Sequence, residues 1–191
     1  MKKIVLTFGL ISGVIASVLM ILTIPVIDRI GFERGMIVGY TGIVLSFLLV
    51  FFGIRSYREN VGGGYISFGR AFSVGILITL ISCVFYVVTW EIAYFNFLPD
   101  FAEKYTNYLL ESARTSGASA EQIAAQREQM QRMAFLYQNP LFNALFTFME
   151  SFPVGLLVTL ISAAVLRKRP PQVSAGEAEL VNPQPSHVET R

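Results

Sequence analysis

Four long apolar runs dominate the chain: residues 4–27, 35–54, 71–90 and 141–166. Each is about as long as the roughly 20 residues a helix needs to cross a hydrocarbon core. In lipid, every backbone N–H and C=O must find its partner within the protein, which leaves helices or a closed barrel. Barrel strands would show about ten residues of dyad alternation, and the sequence has no such segments. A soluble α-protein with buried helices would have to carry four nearly uncharged stretches almost in succession. With 53% hydrophobic and only 15% charged residues among 191, the composition favours the membrane. The expected fold class is all-α: a four-helix transmembrane bundle.

The residue inventory excludes several function classes. The net charge is +2, with no basic cluster interleaved with aromatics, so nucleic acid is not an expected partner. Cys83 is the single cysteine and lies inside the third run, which rules out a disulfide framework. The single histidine, His187, sits in the C-terminal tail, so a Cys/His metal site and a Cys/His or Ser/His catalytic pair lack their parts. No catalytic residue, cofactor or metal is expected, and the chain reads as a non-enzyme.

Charge gives a topology. Lys2 and Lys3 precede the first run, which at 24 residues exceeds a signal-peptide core of about 7–15 and is followed by no clear small-residue cleavage site. It is expected to stay as the first helix. Connector 28–34 is neutral, with Asp28, Arg29, Glu33 and Arg34, while 55–70 carries Arg55, Arg58 and Arg70 against Glu59. Connector 96–140 holds four basic residues and five acids, and Arg167-Lys168-Arg169 closes the fourth run. Basic segments therefore alternate with the rest, which places both termini in the cytoplasm. Trp90, Tyr94, Phe95 and Phe97 would anchor the third helix at the outer headgroups.

The third connector is too long for a structureless loop. It reads as an extracytoplasmic amphipathic helical hairpin over about 97–139. Pro99 suits a first turn, and Phe101, Tyr105, Tyr108 and Ser112 share one face. Gly117 is a left-handed stop, Ser119 with Gln122 a capping box, and Ile123, Arg127, Met130, Ala134 and Tyr137 a second face. Either the hairpin caps the bundle, or its aromatic face meets lipid headgroups or a partner. Residues 1–169 then form one membrane domain. The tail 170–191, rich in Pro, Ser, Glu and Gln, is expected to be disordered and cytoplasmic.

Small residues mark candidate helix contacts. Gly9, Gly13 and Ser17 recur at steps of four in the first span, and Gly35, Gly39, Gly42 and Ser46 share a face of the second. Residues 74–82 resemble 154–162, each with a Val-Gly start, a central Thr and a terminal Ser. Counted from the cytoplasmic ends of antiparallel helices, Gly75 falls near Ser162, Thr79 near Thr159, and Ser82 near Gly155. A close antiparallel contact is the expectation; coincidence between two Leu/Ile/Val-rich helices is the competing account.

Glu150 is the one acid well inside a span, about 24 Å from Leu166 along a helix. An intramembrane carboxylate is a functional candidate by default. Glu91 stands at comparable depth, so the two acids would pair with each other or meet Arg29 or Arg34. The plainer account is a hydrated Glu150 near the interface, with Pro153 opening the helix. The glycines of 62–64 lack the following Lys of a phosphate loop. They suit a tight turn, with Tyr65, Phe68 and Phe72 at the inner interface and Arg55, Arg58 and Arg70 facing anionic headgroups.

Several of these patterns, taken in order, resemble a known family. Tyr57-Arg58, the glycine run, Ile66-Ser67-Phe68-Gly69-Arg70-Ala71-Phe72 and Gly75 are followed by Pro99-Asp100-Phe101 and Gly117-Ala118-Ser119-Ala120-Glu121. Asn139-Pro140, Phe152-Pro153-Val154-Gly155 and Leu160-Ile161-Ser162-Ala163 complete the series. The chain is similar over about 4–169 to the DUF4199 family of bacterial membrane proteins. The resemblance implies a four-span protein of the bacterial inner membrane and supplies no activity and no catalytic residue. The functional expectation is a structural or accessory membrane protein whose partners are the lipid bilayer and either copies of itself or another membrane protein. The alternative is a small transporter or channel subunit that uses Glu150.

Overall fold

The computed structural model describes residues 1–170, the side chain of Asp28 excepted; beyond Pro170 the expected disordered tail lies outside the described residues. Six helices make up the described chain: α1 (Lys2–Ile30), α2 (Phe32–Asn60), α3 (Phe68–Phe97), α4 (Phe101–Thr115), α5 (Ala120–Tyr137) and α6 (Pro140–Leu166). No strand occurs among the described residues beyond an isolated antiparallel bridge between Ile66 and Lys168. Four of the helices (α1 to Ile27, α2, α3 and α6) are long and apolar enough to cross a membrane. Their outward faces are apolar too: Leu22, Ile37, Leu145 and Val165 are 60%, 64%, 60% and 67% exposed. The chain is a membrane protein.

The helices outrun their apolar stretches, because polar residues at the ends still satisfy helical geometry. In α2 the Arg55 and Glu59 side chains pair at 2.9 Å across one turn, a small support for the helix that runs on to Asn60. The expected seven-residue connector 28–34 shrinks to Gly31 alone. Gly31 reverses the chain at φ 83°, a conformation costly for any residue with a Cβ. Its N–H bonds the Ile27 carbonyl at 2.8 Å, and its own carbonyl accepts from Gly35 N–H at 3.0 Å.

α3 sits between α1 and α6, while α2 touches all three. Lipid tails give helices no hydrophobic reason to associate, so close approach over small residues carries the packing. The small face of α1 meets α3: a Cβ at Gly9 would stand 2.9 Å from Ile81 Cβ, and one at Gly13 2.8 Å from Phe85 Cβ. Thr89 donates to Ser17 Oγ at 2.7 Å farther along the same seam. Against α2, Ser12 donates to the Ser46 carbonyl at 2.8 Å, and Gly42 receives Leu19. Gly39 does not share this contact; a Cβ there meets nothing within 4 Å.

The ends are tied differently. At the basic end, Ile66 and Lys168 exchange both backbone hydrogen bonds at 2.9 Å, Arg58 donates to the Leu166 carbonyl at 3.4 Å, and Lys168 Nζ lies 5.5 Å from the Tyr65 ring centre. The turn before this bridge uses Gly63 and Gly64 at φ 59° and 88°. At the other end, the aromatic face of α4 is occupied within the chain. Phe32 packs against Phe101, Tyr105 and Tyr108 with ring centres 5.9, 5.5 and 5.3 Å apart. Phe101, Tyr105 and Tyr108 stay partly exposed, so Phe32 covers that face only in part. Pro99 precedes α4 rather than opening it, whereas Ser119 and Gln122 close their capping box and Asn139 caps α6 ahead of Pro140.

Candidate functional site

α6 presents a polar stripe at steps of four: Asn143, Thr147, Ser151, Gly155 and Thr159, all buried. Steps of four keep side chains on one helix face, and here that face meets α3. At its middle, Thr79 Oγ1 and Thr159 Oγ1 are 2.9 Å apart, and Thr79 also reaches the Gly155 carbonyl at 3.4 Å. A Cβ at Gly75 would lie 2.8 Å from Thr159 Cγ2, and one at Gly155 would collide with Thr79 Cγ2. Gly75, Thr79, Gly155 and Thr159 thus share one crossing. Gly75 faces Thr159 rather than Ser162, and Gly155 faces Thr79 rather than Ser82. Ser82 turns to its own helix and to α1, donating to the Ile78 carbonyl at 3.1 Å and the Gly9 carbonyl at 3.5 Å. Ser162 is buried farther down α6.

Toward the α4/α5 end the stripe joins a network absent from the sequence reading. Asn143 is fully buried; its Nδ2 donates to the Tyr137 carbonyl at 3.2 Å, and its Oδ1 accepts from Thr147 at 3.4 Å. Tyr137 Oη accepts from Trp90 Nε1 at 3.1 Å and lies 3.5 Å from Thr147 Oγ1. Burial pushes the Tyr137 phenol above its ordinary range, the bonds to Thr147 and Trp90 pull it down, and the Glu150 charge raises it again. It is a neutral hydroxyl throughout the physiological range.

Glu150 stands beside this stripe, half-buried. The phenol of Tyr40 on α2 faces its carboxylate, and Tyr86 on α3 and Tyr137 on α5 stand within electrostatic reach. Phenols from three other helices thus lie near enough to Glu150 to feel its charge. Pro153, three residues on, has no N–H to give the Met149 carbonyl. No ion pair links Glu150 or Glu91 to Arg29 or Arg34 among the described residues.

Among the described residues no interaction between Glu91 and Glu150 is found. Glu91 Oε1 is enclosed and has no hydrogen-bond partner among the described residues. An enclosed polar atom without a partner costs about 1–3 kcal/mol. Glu91→Leu should therefore raise stability by about 1 kcal/mol, read as a higher midpoint of thermal unfolding in detergent. A lower midpoint would show that the carboxylate has a stabilising role.

A family model described as "Protein of unknown function (DUF4199)" matches residues 7–168. The chain belongs to this family. No curated protein and no solved structure matches it. The DUF4199 match runs from α1 to the Lys168 bridge, so it takes in all six helices, Glu150 and the whole polar stripe. Asn143, Thr147 and Ser151 were detectable as i, i+4 polar residues in a Phe- and Leu-rich helix. Tyr40 and Tyr86 carried no such signal, because only the fold sets them beside Glu150.

Proposed function

We propose that this DUF4199 protein is a non-enzymatic structural or accessory protein of the bacterial inner membrane. In this reading α1, α2, α3 and α6 form a four-helix transmembrane bundle with both termini in the cytoplasm. α4 and α5 form its helical hairpin outside. The topology is supported by Lys2, Lys3, Arg55, Arg58, Arg70, Arg167, Lys168 and Arg169, which gather at one end with Glu59 as the acid among them. The role rests above all on the α3–α6 crossing. There Thr79 and Thr159 bond each other, and each methyl group fills the space over the opposite glycine. The polar groups at that crossing are spent on holding helices together, which suits a scaffold, whereas a conducting pore needs polar groups facing a path.

Cross-linking and mass measurement of the full chain in native-like lipid test the role. A defined complex with a different membrane protein, cross-linked through α4 or α5, supports it; a ring of copies with Glu150 on its axis favours transport. Orientation is read by single cysteines in a Cys83→Ser background. An impermeant thiol reagent should label Ser116→Cys on intact spheroplasts and Arg169→Cys only after permeabilisation. The reverse pattern would overturn the topology.

A further inference from the structure

We propose that the last turn of α5 is inserted into the adjoining phospholipid leaflet, with Phe135 and Leu136 among acyl chains and Arg132 at the phosphates. This goes beyond the accessory role and rests on α6 crossing the membrane, whichever side the hairpin faces.

The first support is where charge stops. Arg132 is the last charged residue before Glu150, so residues 133–149 carry none. The uncharged stretch therefore begins on α5, more than a turn before its end at Tyr137, and not at the start of α6. Only Gln138 and Asn139 lie between the two helices. Large apolar side chains point outward on both sides of that bend: Phe135 and Leu136 are 75% and 45% exposed, and Leu141 is 78% exposed. Apolar side chains gathered in the open mark a contact surface. Here the patch continues into the outward face of α6, whose contact is lipid.

The second support is depth. Tyr137 Oη lies 3.5 Å from Thr147 Oγ1, which stands about 10 Å along α6 from Pro140. It also accepts from Trp90 Nε1 at 3.1 Å, and its ring centre is 5.2 Å from that of Tyr94. The end of α5 is thereby held level with Trp90 and Tyr94, aromatic residues of the kind that gather at headgroup depth. The third support is the shape and chemistry of the surface. Gln131, Arg132, Phe135 and Leu136 line an open cavity of about 460 Å³. α5 buries no residue of its own, so the rest of the chain leaves this side uncovered. Arg132 is largely exposed and gives one N–H to Glu128. The other N–H groups of its guanidinium remain for a phosphate oxygen. Its stem can reach up along the apolar rings while its charge stays among headgroups.

The test uses the full chain in vesicles of phosphatidylethanolamine and phosphatidylglycerol, with one nitroxide-labelled cysteine at a time in a Cys83→Ser background. Collisions with oxygen, enriched among acyl chains, and with a nickel chelate, confined to water, report how deep each label lies. Labels at Phe135→Cys and Leu136→Cys should favour oxygen and read a depth of about 5–10 Å into the headgroup and acyl boundary. A label at Glu121→Cys, at the far end of α5, should favour nickel. All three side chains are exposed, so the labels displace no packed neighbour. Leu157→Cys, on the outward face of α6, sets the reading for lipid. Lipid at 157 with water at 135 and 136 would overturn the proposal alone, whereas water at 157 would overturn the membrane premise beneath it. Shielding of 135 and 136 from both reagents would also overturn it, because a partner protein or a second copy would then cover the patch.

Discussion

Replacing Gly155 by leucine lowers the thermal midpoint of the detergent-solubilised protein sharply, whereas leucine at Gly39 leaves it unchanged. The contrast follows from what a Cβ would meet. At Gly155 it would stand 2.8 Å from Phe47 Cζ and 2.9 Å from Cε1, with the Thr79 methyl closer still. Phe47 is buried in the centre of the core and cannot swing aside. Overpacking of this kind costs about 1–3 kcal/mol. Pushing α6 away also breaks the Thr79–Thr159 hydrogen bond, worth about 0.6 kcal/mol in a membrane interior. A total of about 3 kcal/mol is expected, with Gly75→Leu similar because its Cβ would press on Thr159 and Ile54. At Gly39 the new side chain enters open space beside Ile37 and Tyr40. Equal midpoints for Gly155→Leu and Gly39→Leu would remove the α3–α6 crossing from its place as the main fastening.

The four spans were legible because about 20 consecutive apolar residues have few other fates. Their ends were not. Apolarity marks where lipid tails stop, but hydrogen bonding marks where a helix stops, so α2 continues through Arg55 and Glu59. Gly31 reverses the chain in one residue, which a charge count over 28–34 could not reveal. The repeated Gly-Thr-Ser segments pointed to the helices that meet, and the structure sets Thr79 against Thr159. The neighbouring register was offset because counting from helix ends ignores rotation. From Thr79, three residues turn the helix about 300°, which carries Ser82 toward α1. Glu150 stood out as a charge in an apolar run, while its phenols come from positions 40, 86 and 137 on separate helices. Long-range convergence of that kind leaves no local pattern to read.

Asn143→Leu should release α5 from α6 while the four long helices hold. Leucine matches asparagine in side-chain heavy-atom count and branching but is bulkier, so the change removes the hydrogen bonds and adds some overpacking rather than a cavity. What is lost is specific. The Tyr137 carbonyl, in the last turn of α5, loses its donor at 3.2 Å, and Thr147 loses its acceptor at 3.4 Å. Leaving such buried groups unpaired costs about 1–3 kcal/mol. α5 buries no residue of its own, so few other contacts resist its departure. Local opening of α5 should become about tenfold more frequent, since a factor of ten needs about 1.4 kcal/mol. Backbone amides of 120–137 would then exchange with deuterium about tenfold faster, with those of α3 little changed. Unchanged exchange would mean that the Trp90–Tyr137 bond alone holds the joint, and Trp90→Phe should then reproduce the release.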